Sequence, residues 1–353
     1  MNLLSRLRDS FETLNIDGIL VNSSTNRRYL TGFTGTAGIV LISKNDARLL
    51  TDFRYTKQAE EQVDEFTVKQ IEKNNTSEIA KHLQEMGIAK LGFEEEHLTY
   101  AQHKNFQNTF AAKLVPTKLF VESFRMQKSS QEIKFIKEAV NVTDEAFNHI
   151  LQVIKIGMTE QEVANELEQY IKTAGFAPSK SSMVVASGAR SALPHGIASD
   201  KKIENGDMVT MDFGALSQDY CSDMTRTVSV GEPPSQLKEI YSIVHKALAE
   251  CLNSLKPNLT IKELDHIIRE PIEKAGYGEK FGHGAGHGIG LDVHEELFIT
   301  SNSTKRLLPN MVMTIEPGIY IPGLGGVRIE DDVLITENGC EVLTMSPKNL
   351  IVL

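Results

Sequence analysis

The chain is poor in cysteine, in positive charge and in long apolar runs, and each shortage excludes a class of function. Its three cysteines, Cys221, Cys251 and Cys340, are odd in number and widely spaced, with no CxxC pair. They suit neither a disulfide framework nor a zinc ribbon, and thiols held in a reducing cytosol are expected. Lysine and arginine number 37 against 47 aspartates and glutamates, a formal charge of −10. Sequence-independent nucleic-acid binding needs a basic face, and the scattered aromatics form no base-stacking platform. No nucleic-acid partner is expected. Leu3, Leu4, Leu7, Phe11 and Leu14 form a helical stripe interrupted by Arg6, Arg8 and Asp9, unlike the unbroken apolar core of a signal peptide. No later run is long enough to span a bilayer. A cytoplasmic protein without a membrane partner is the expectation.

What is present is enough chain for two domains: 353 residues, 41% hydrophobic and 24% charged, where a single core rarely grows past about 250–300 residues. The composition is that of an ordinary globular protein. Residues 18–23, 38–43, 47–52, 66–71 and 90–95 read as short strands, with polar helical stretches at 77–86 and 100–110. That alternation predicts a compact α/β domain over 1–124 with no ligand spacing of its own. Leu119 to Lys128 lacks periodicity and reads as a junction. A second domain is expected over 125–353, opening with a Ser129-x-x-Glu132 capping box and a helix to about Ile154.

This second part repeats itself. Lys155, Thr159, Glu162, Ile171, Ala174 and Gly175 recur as Lys256, Thr260, Glu263, Ile272, Ala275 and Gly276 at one constant offset. Each copy follows an amphipathic helix and starts with a Thr-x-x-Glu cap. Each precedes a Met-Val strand carrying an acid: Met208-Val209 before Asp212, and Met311-Val312 before Glu316. Two halves facing each other across a shared site account for the matching acids.

Alternation tests whether those acids point together. Val209, Met211 and Phe213 share one face of their strand and Thr210 and Asp212 the other; Met313 and Ile315 oppose Thr314 and Glu316; Val327 and Ile329 oppose Arg328 and Glu330. A one-sided sheet with a solvated polar face explains any one acid alone. Asp212, Asp223, Glu316 and Glu330 taken with His287 call for more, because unpaired charge in apolar strands costs several kcal/mol unless cations neutralise it. Four carboxylates and one imidazole are too many for one zinc and lack the HExxH spacing. They suit two divalent ions with a bridging water. Oxygen-rich ligation with one nitrogen favours Mn2+, with Co2+, Zn2+ or Fe2+ as alternatives. His195, His283 and His294 are the surplus histidines nearby, among glycines at 282, 284, 286, 288 and 290 that match neither a GxGxxG fingerprint nor a phosphate-binding loop.

The segments ASGARSALPHG, DFGALSQDYCSDMTRT, HGAGHGIGLDVHE, TIEPGIY and GVRIEDD, in this order, resemble the successive motifs of the pita-bread metallopeptidases. That family includes methionine aminopeptidase, Xaa-Pro aminopeptidase and Xaa-Pro dipeptidase. NSSTNRRYLTGFTGTAGIVLIS and TDFRYTKQAEE resemble the N-terminal domain of the proline-specific members and creatinase, which methionine aminopeptidases lack. The resemblance implies a two-domain α/β protein: an N-terminal creatinase-type α/β domain and a C-terminal pseudo-symmetric pita-bread (α+β) catalytic domain. It implies a metal-dependent exopeptidase that hydrolyses the Xaa-Pro bond at the N-terminus of dipeptides or short peptides through a hydroxide bridging two metal ions.

By the same resemblance Asp212, Asp223, His287, Glu316 and Glu330 are the metal ligands. His195, His294 and Glu316 are the catalytic groups, and His195, His283, His294, Tyr320 and Arg328 bind substrate. A homodimer and a proline-containing di- or oligopeptide substrate follow from it too. A creatinase-like metal-independent C–N hydrolase or a non-catalytic pita-bread binding protein is the alternative, and retention of the full ligand set weighs against both. One departure is visible: His294-Glu295-Glu296-Leu297 stands where members often carry proline after the second glutamate.

Overall fold

The structure is a computed structural model describing residues 2–72, 75–179 and 183–353, and its chain divides into two compact units, Met1–Arg125 and Met126–Leu353. The first unit is built on six strands: β1 (Gly18–Val21), β2 (Ile39–Ser43), β3 (Ala47–Thr51), β4 (Thr67–Gln70), β5 (Lys90–Glu94) and β6 (Lys113–Thr117), in the order β4-β3-β2-β1-β5-β6. β1, β2 and β3 pair antiparallel, while β4, β5 and β6 join in parallel. Parallel joins need crossover helices, supplied by α4 (Thr56–Gln62), α5 (Thr76–Glu85) and α6 (Tyr100–Thr109). The unbroken apolar reading of β1 and β2 follows from coverage on both faces, with Ile19 and Ile42 in one core and Leu20 and Leu41 in another.

Two expectations in this unit change. The stripe from Leu3 to Leu14 is two helices, α1 (Leu3–Asp9) and α2 (Phe11–Leu14), parted at Ser10, whose amide donates to Arg8 and Leu7 carbonyls. The supposed junction contains a further helix, α7 (Phe120–Arg125), with Phe120 and Val121 buried. Six residues are too few turns for a period to register in the sequence. α3 (Ser24–Thr31) follows β1 and is capped by Ser23.

In the second unit, α8 (Ser130–Val153) and α9 (Glu160–Thr173) precede β7 (Ala177–Pro178), β8 (Val184–Ser187), β9 (Asp207–Phe213), β10 (Ala215–Ser217), β11 (Tyr220–Cys221) and β12 (Met224–Val230). A second helix pair, α10 (Ser235–Ser254) and α11 (Ile261–Lys274), precedes β13 (Val312–Ile315), β14 (Gly318–Ile321), β15 (Gly325–Arg328), β16 (Asp331–Ile335) and β17 (Cys340–Val342). The repeat seen in the sequence is therefore structural. Thr159 and Thr260 both close complete capping boxes, with Glu162 and Glu263. Both helices end alike: Gly175 at φ 88° and Gly276 at φ 83° adopt the left-handed conformation, and the amides of Phe176 and Tyr277 reach back to Ile171 and Ile272. Glycine is favoured there because a Cβ disfavours that backbone region.

Each helix pair packs on its own strands. Val163, Leu167 and Ile171 share a core with Val209, Met211 and Phe213. Leu264, Ile268 and Ile272 share another with Met313, Ile315, Val327 and Ile329. The apolar strand rows thus face the helices, and their alternate positions face the opposite way. That opposite face is not solvated: Thr210, Thr225, Thr227, Thr314 and Arg328 are all buried. The one-sided open sheet is excluded.

Candidate active site

Strand pairing brings the acids together. β9 and β12 are antiparallel with Asp212 opposite Thr225, so Asp223, just before β12, lies near Asp212. Glu316 follows the last residue of β13. Glu330 is not inside a strand as alternation had implied. It sits at the break between β15 and β16, its amide bonded to the Thr225 carbonyl at 3.0 Å. His287 lies in the glycine-rich segment, which runs beside β13: its amide donates to Thr314 Oγ1 at 3.1 Å, and its carbonyl accepts the Thr314 amide at 2.8 Å.

Donor atoms of Asp223, His287 and Glu330 lie within 4.8 Å of one another, and all three residues are buried. His287 Nε2 is 3.8 Å from Asp223 Oδ2 and 3.7 Å from Glu316 Oε1, too far for hydrogen bonds. Its Nδ1 lies 3.0 Å from the Gly288 carbonyl, which assigns the proton to Nδ1 and leaves the Nε2 lone pair toward the acids. Burial first, then the charge of His294, lowers the His287 pKa to about 4, so the ring is a neutral donor. Burial and the charge of Glu330 push Asp223 and Glu316 well above the usual carboxylate range. Burial and Asp212 raise Glu330 to about 7. Acids that repel one another in a largely buried site, around a neutral imidazole, form a donor set that a divalent cation would relieve. The residues fit a metal.

Around this cluster Arg328, fully buried, acts as a hub. It donates to Asp212 Oδ2 at 2.6 Å, Tyr320 Oη at 2.9 Å, Thr225 Oγ1 at 3.0 Å and the Pro194 carbonyl at 3.1 Å. Tyr320 Oη is 2.8 Å from His283 Nε2, and His283 Nδ1 is 3.7 Å from Glu316 Oε2. Burial lowers His283 to about 4 and raises Tyr320 to about 12. His294 is exposed, its ring 4.3 Å from that of His287. His195 is also exposed, and is tied in through Pro194. All ten residues singled out from the sequence gather here.

Residues 134–337 match Metallopeptidase family M24, and residues 4–127 match the Creatinase/Prolidase N-terminal domain. The chain belongs to metallopeptidase family M24. An Xaa-Pro dipeptidase of Pyrococcus horikoshii (strain ATCC 700860 / DSM 12428 / JCM 9974 / NBRC 100139 / OT-3) is 42% identical over 341 residues, 95% of each chain. A solved Xaa-Pro dipeptidase from Bacillus anthracis superposes with a TM-score of 0.97 at 50% identity, covering 99% of both chains. An X-Pro aminopeptidase from Thermotoga maritima MSB8 gives 0.91 at 40% identity and covers 100% of both. Membership in this family implies a divalent metal cofactor, in agreement with the donor set.

Three supporting groups in this M24 metallopeptidase were missed from sequence. Thr225 Oγ1 donates to Glu330 Oε2 at 2.5 Å, Asp332 Oδ2 accepts the Asp223 amide at 2.9 Å, and Thr314 holds His287. Thr225, Asp332 and Thr314 each lie two residues from a ligand candidate, the spacing that keeps a side chain on the same strand face. Alternation had already set Thr314 on the face of Glu316; extending the same two-residue spacing from Asp223 and Glu330 reaches Thr225 and Asp332.

Proposed function

We propose that the protein is a metal-dependent exopeptidase hydrolysing the Xaa-Pro bond at the N-terminus of dipeptides or short peptides. The observation that carries this is the meeting of Asp223, His287 and Glu330 within 4.8 Å, in a chain similar over its whole length to Xaa-Pro peptidases. Asp212, Asp223, His287, Glu316 and Glu330 would hold two divalent ions, with Mn2+ favoured by the oxygen-rich set. When bound, such ions supply Lewis acidity at the scissile carbonyl and ionise a water near neutral pH.

The chain's own groups do the rest. Glu316 takes up the proton released by the attacking water and passes it to the imino nitrogen of the departing proline. His294, exposed with its ring 4.3 Å from that of His287, donates toward the oxyanion. His195 steadies the product side. His283 and Tyr320 form one wall of the substrate site, and Arg328 orients Asp212, Tyr320 and the Pro194 carbonyl together. An Xaa-Pro amide has no N–H, so selection comes from a pocket shaped to the ring.

The relatives include both a dipeptidase and an aminopeptidase, which differ in whether the cleft admits chain beyond proline. We assign a homodimer and a cytoplasmic location as part of the same reading; among the described residues no helix is long and apolar enough to cross a membrane. The test is a panel of Xaa-Pro, Xaa-Pro-Yaa and Xaa-Ala peptides with metal-stripped protein restored ion by ion. Turnover of Xaa-Pro peptides with at least one divalent ion is expected. Cleavage of Xaa-Ala alone, or full activity without metal, overturns the proposal.

A further inference from the structure

Outside the ligand cluster the catalytic unit holds a buried charge pair, one member of it next to His294 in the chain, that the chemistry has not used. Lys128 Nζ lies 3.0 Å from Glu295 Oε2, and the two side chains are 2% and 5% exposed. Burying such a pair costs several kcal/mol per ion in desolvation, so it is weak evidence of stabilisation. Its position says more. The Glu295 amide donates to the Gly288 carbonyl at 2.8 Å, and Gly288 bridges in turn to Met313 of β13. Glu295 thus bridges directly to the residue that follows His287. Its neighbour His294 points elsewhere: Glu295 is buried, and His294 is exposed with its ring 4.3 Å from that of His287.

The other end of the pair is anchored as well. The Lys128 amide donates to the Asn310 carbonyl at 2.8 Å, and Gln127 bridges to Met311, so Lys128 is tied to the approach to β13. The glutamate carboxylate packs so closely on Gly290 that a Cβ there would lie 2.5–2.8 Å from it. Gly290 in turn accepts the Cys221 amide at 2.7 Å, two residues before Asp223.

We propose that the Lys128–Glu295 pair is a positioning device: by fixing Glu295 on the inner side of its segment it holds His294 against the metal site and sets turnover. This rests on the role given above to His294. Misplacing a reacting group by about 1 Å can cost on the order of 100-fold.

Glu295→Asp keeps the charge but shortens the arm, and Lys128→Met/Glu295→Met removes the pair without leaving a lone buried ion. In metal-loaded protein both should lower kcat at least fivefold, with KM within threefold and metal stoichiometry unchanged. Lys305→Met, which removes the more exposed Lys305–Glu296 contact of the same loop, should leave kcat as it is. In zinc-loaded protein labelled with 15N-histidine, the His294 ring resonances should move in the first two variants and not in the third. Wild-type kcat with unmoved resonances in folded Glu295→Asp overturns the proposal, even if the double variant does not fold. His294→Ala, measured in parallel, separates the two ideas. Unimpaired turnover there removes the role of His294 itself, whereas a collapse there with an active Glu295→Asp removes only the pair's role.

Discussion

Buried carboxylates in this protein live in two kinds of surroundings. Glu94, in β5 of the first unit, accepts the Asn22 and Ser23 amides at 2.6 and 2.7 Å and Asn26 Nδ2 at 2.6 Å. Burial raises its pKa, while those hydrogen bonds oppose the rise. Glu160, at the start of α9, is fully buried and accepts from Ser187, Ser199 and Arg190; at the repeat position the other half of the unit carries Ile261, equally buried. Asp223, Glu316 and Glu330 are different. Burial is compounded by their mutual charge, and Glu316 stands 3.7 Å from His283 and His287, outside hydrogen-bonding range. Burial of an acid is therefore no sign of function by itself. The sign is a carboxylate left short of donors beside others in the same condition.

That contrast can be broken by substitution. Glu316→Gln should lower kcat by about 10³-fold, the scale of losing a positioned proton carrier, with an unchanged far-UV circular dichroism spectrum; near-normal turnover rejects its role. The same substitution removes repulsion, so without metal its melting temperature should not fall below that of wild type. Glu94→Ala should do the reverse. It takes the acceptor from the Asn22 and Ser23 amides and one of two acceptors from Asn26 Nδ2, which keeps Glu122, and should cost about 2 kcal/mol in urea unfolding; a loss under about 0.5 kcal/mol would dissolve the distinction.

A subtler test uses pH. Glu330 holds its proton in the fold up to about 7, against an ordinary 4.5. Between those values the native state binds more protons than the unfolded chain, so this group's contribution falls as pH rises through the window. His283 acts oppositely: neutral down to about 4 in the fold, it contributes above its ordinary 6.5 and loses that as pH falls. Comparing metal-free wild type with Glu330→Gln isolates the first effect. The variant should gain melting temperature relative to wild type from pH 5 to pH 8, and Mn2+ should stabilise wild type more at pH 8 than at pH 5. A constant difference between the two proteins across that range counts against the mutual-charge account.

The smallest expected effects sharpen the repeat. Thr159→Ala and Thr260→Ala each remove one side of a capping box and should each cost about 1 kcal/mol, adding in the double variant. Strongly unequal losses would mean that the halves share a form but not its local energetics.

Much of this was legible before any coordinates. Ser129, Thr159 and Thr260 announce helix starts because the capping box is a contact over three residues. Core rows such as Val209, Met211 and Phe213 follow from alternation alone. α7 escaped because six residues hold too few turns to show a period, and the strand break at Glu330 escaped because alternation persists across it. The Lys128–Glu295 pair was out of reach for another reason: its members are 167 positions apart, and nothing local to either residue selects its partner.

By itself the sequence determined the inventory: which residue types are present, most of the longer strands and helices, which face of such an element a residue occupies, and the duplication that sets acids at matching places. These are consequences of short-range backbone geometry, and a local pattern encodes them. Only the tertiary structure decided which buried acids are satisfied and which are left facing one another. That depends on donors brought in by chain packing from far away, such as Arg328 to Asp212 or Asn22 to Glu94, and the energy of a buried charge is set by its whole surroundings.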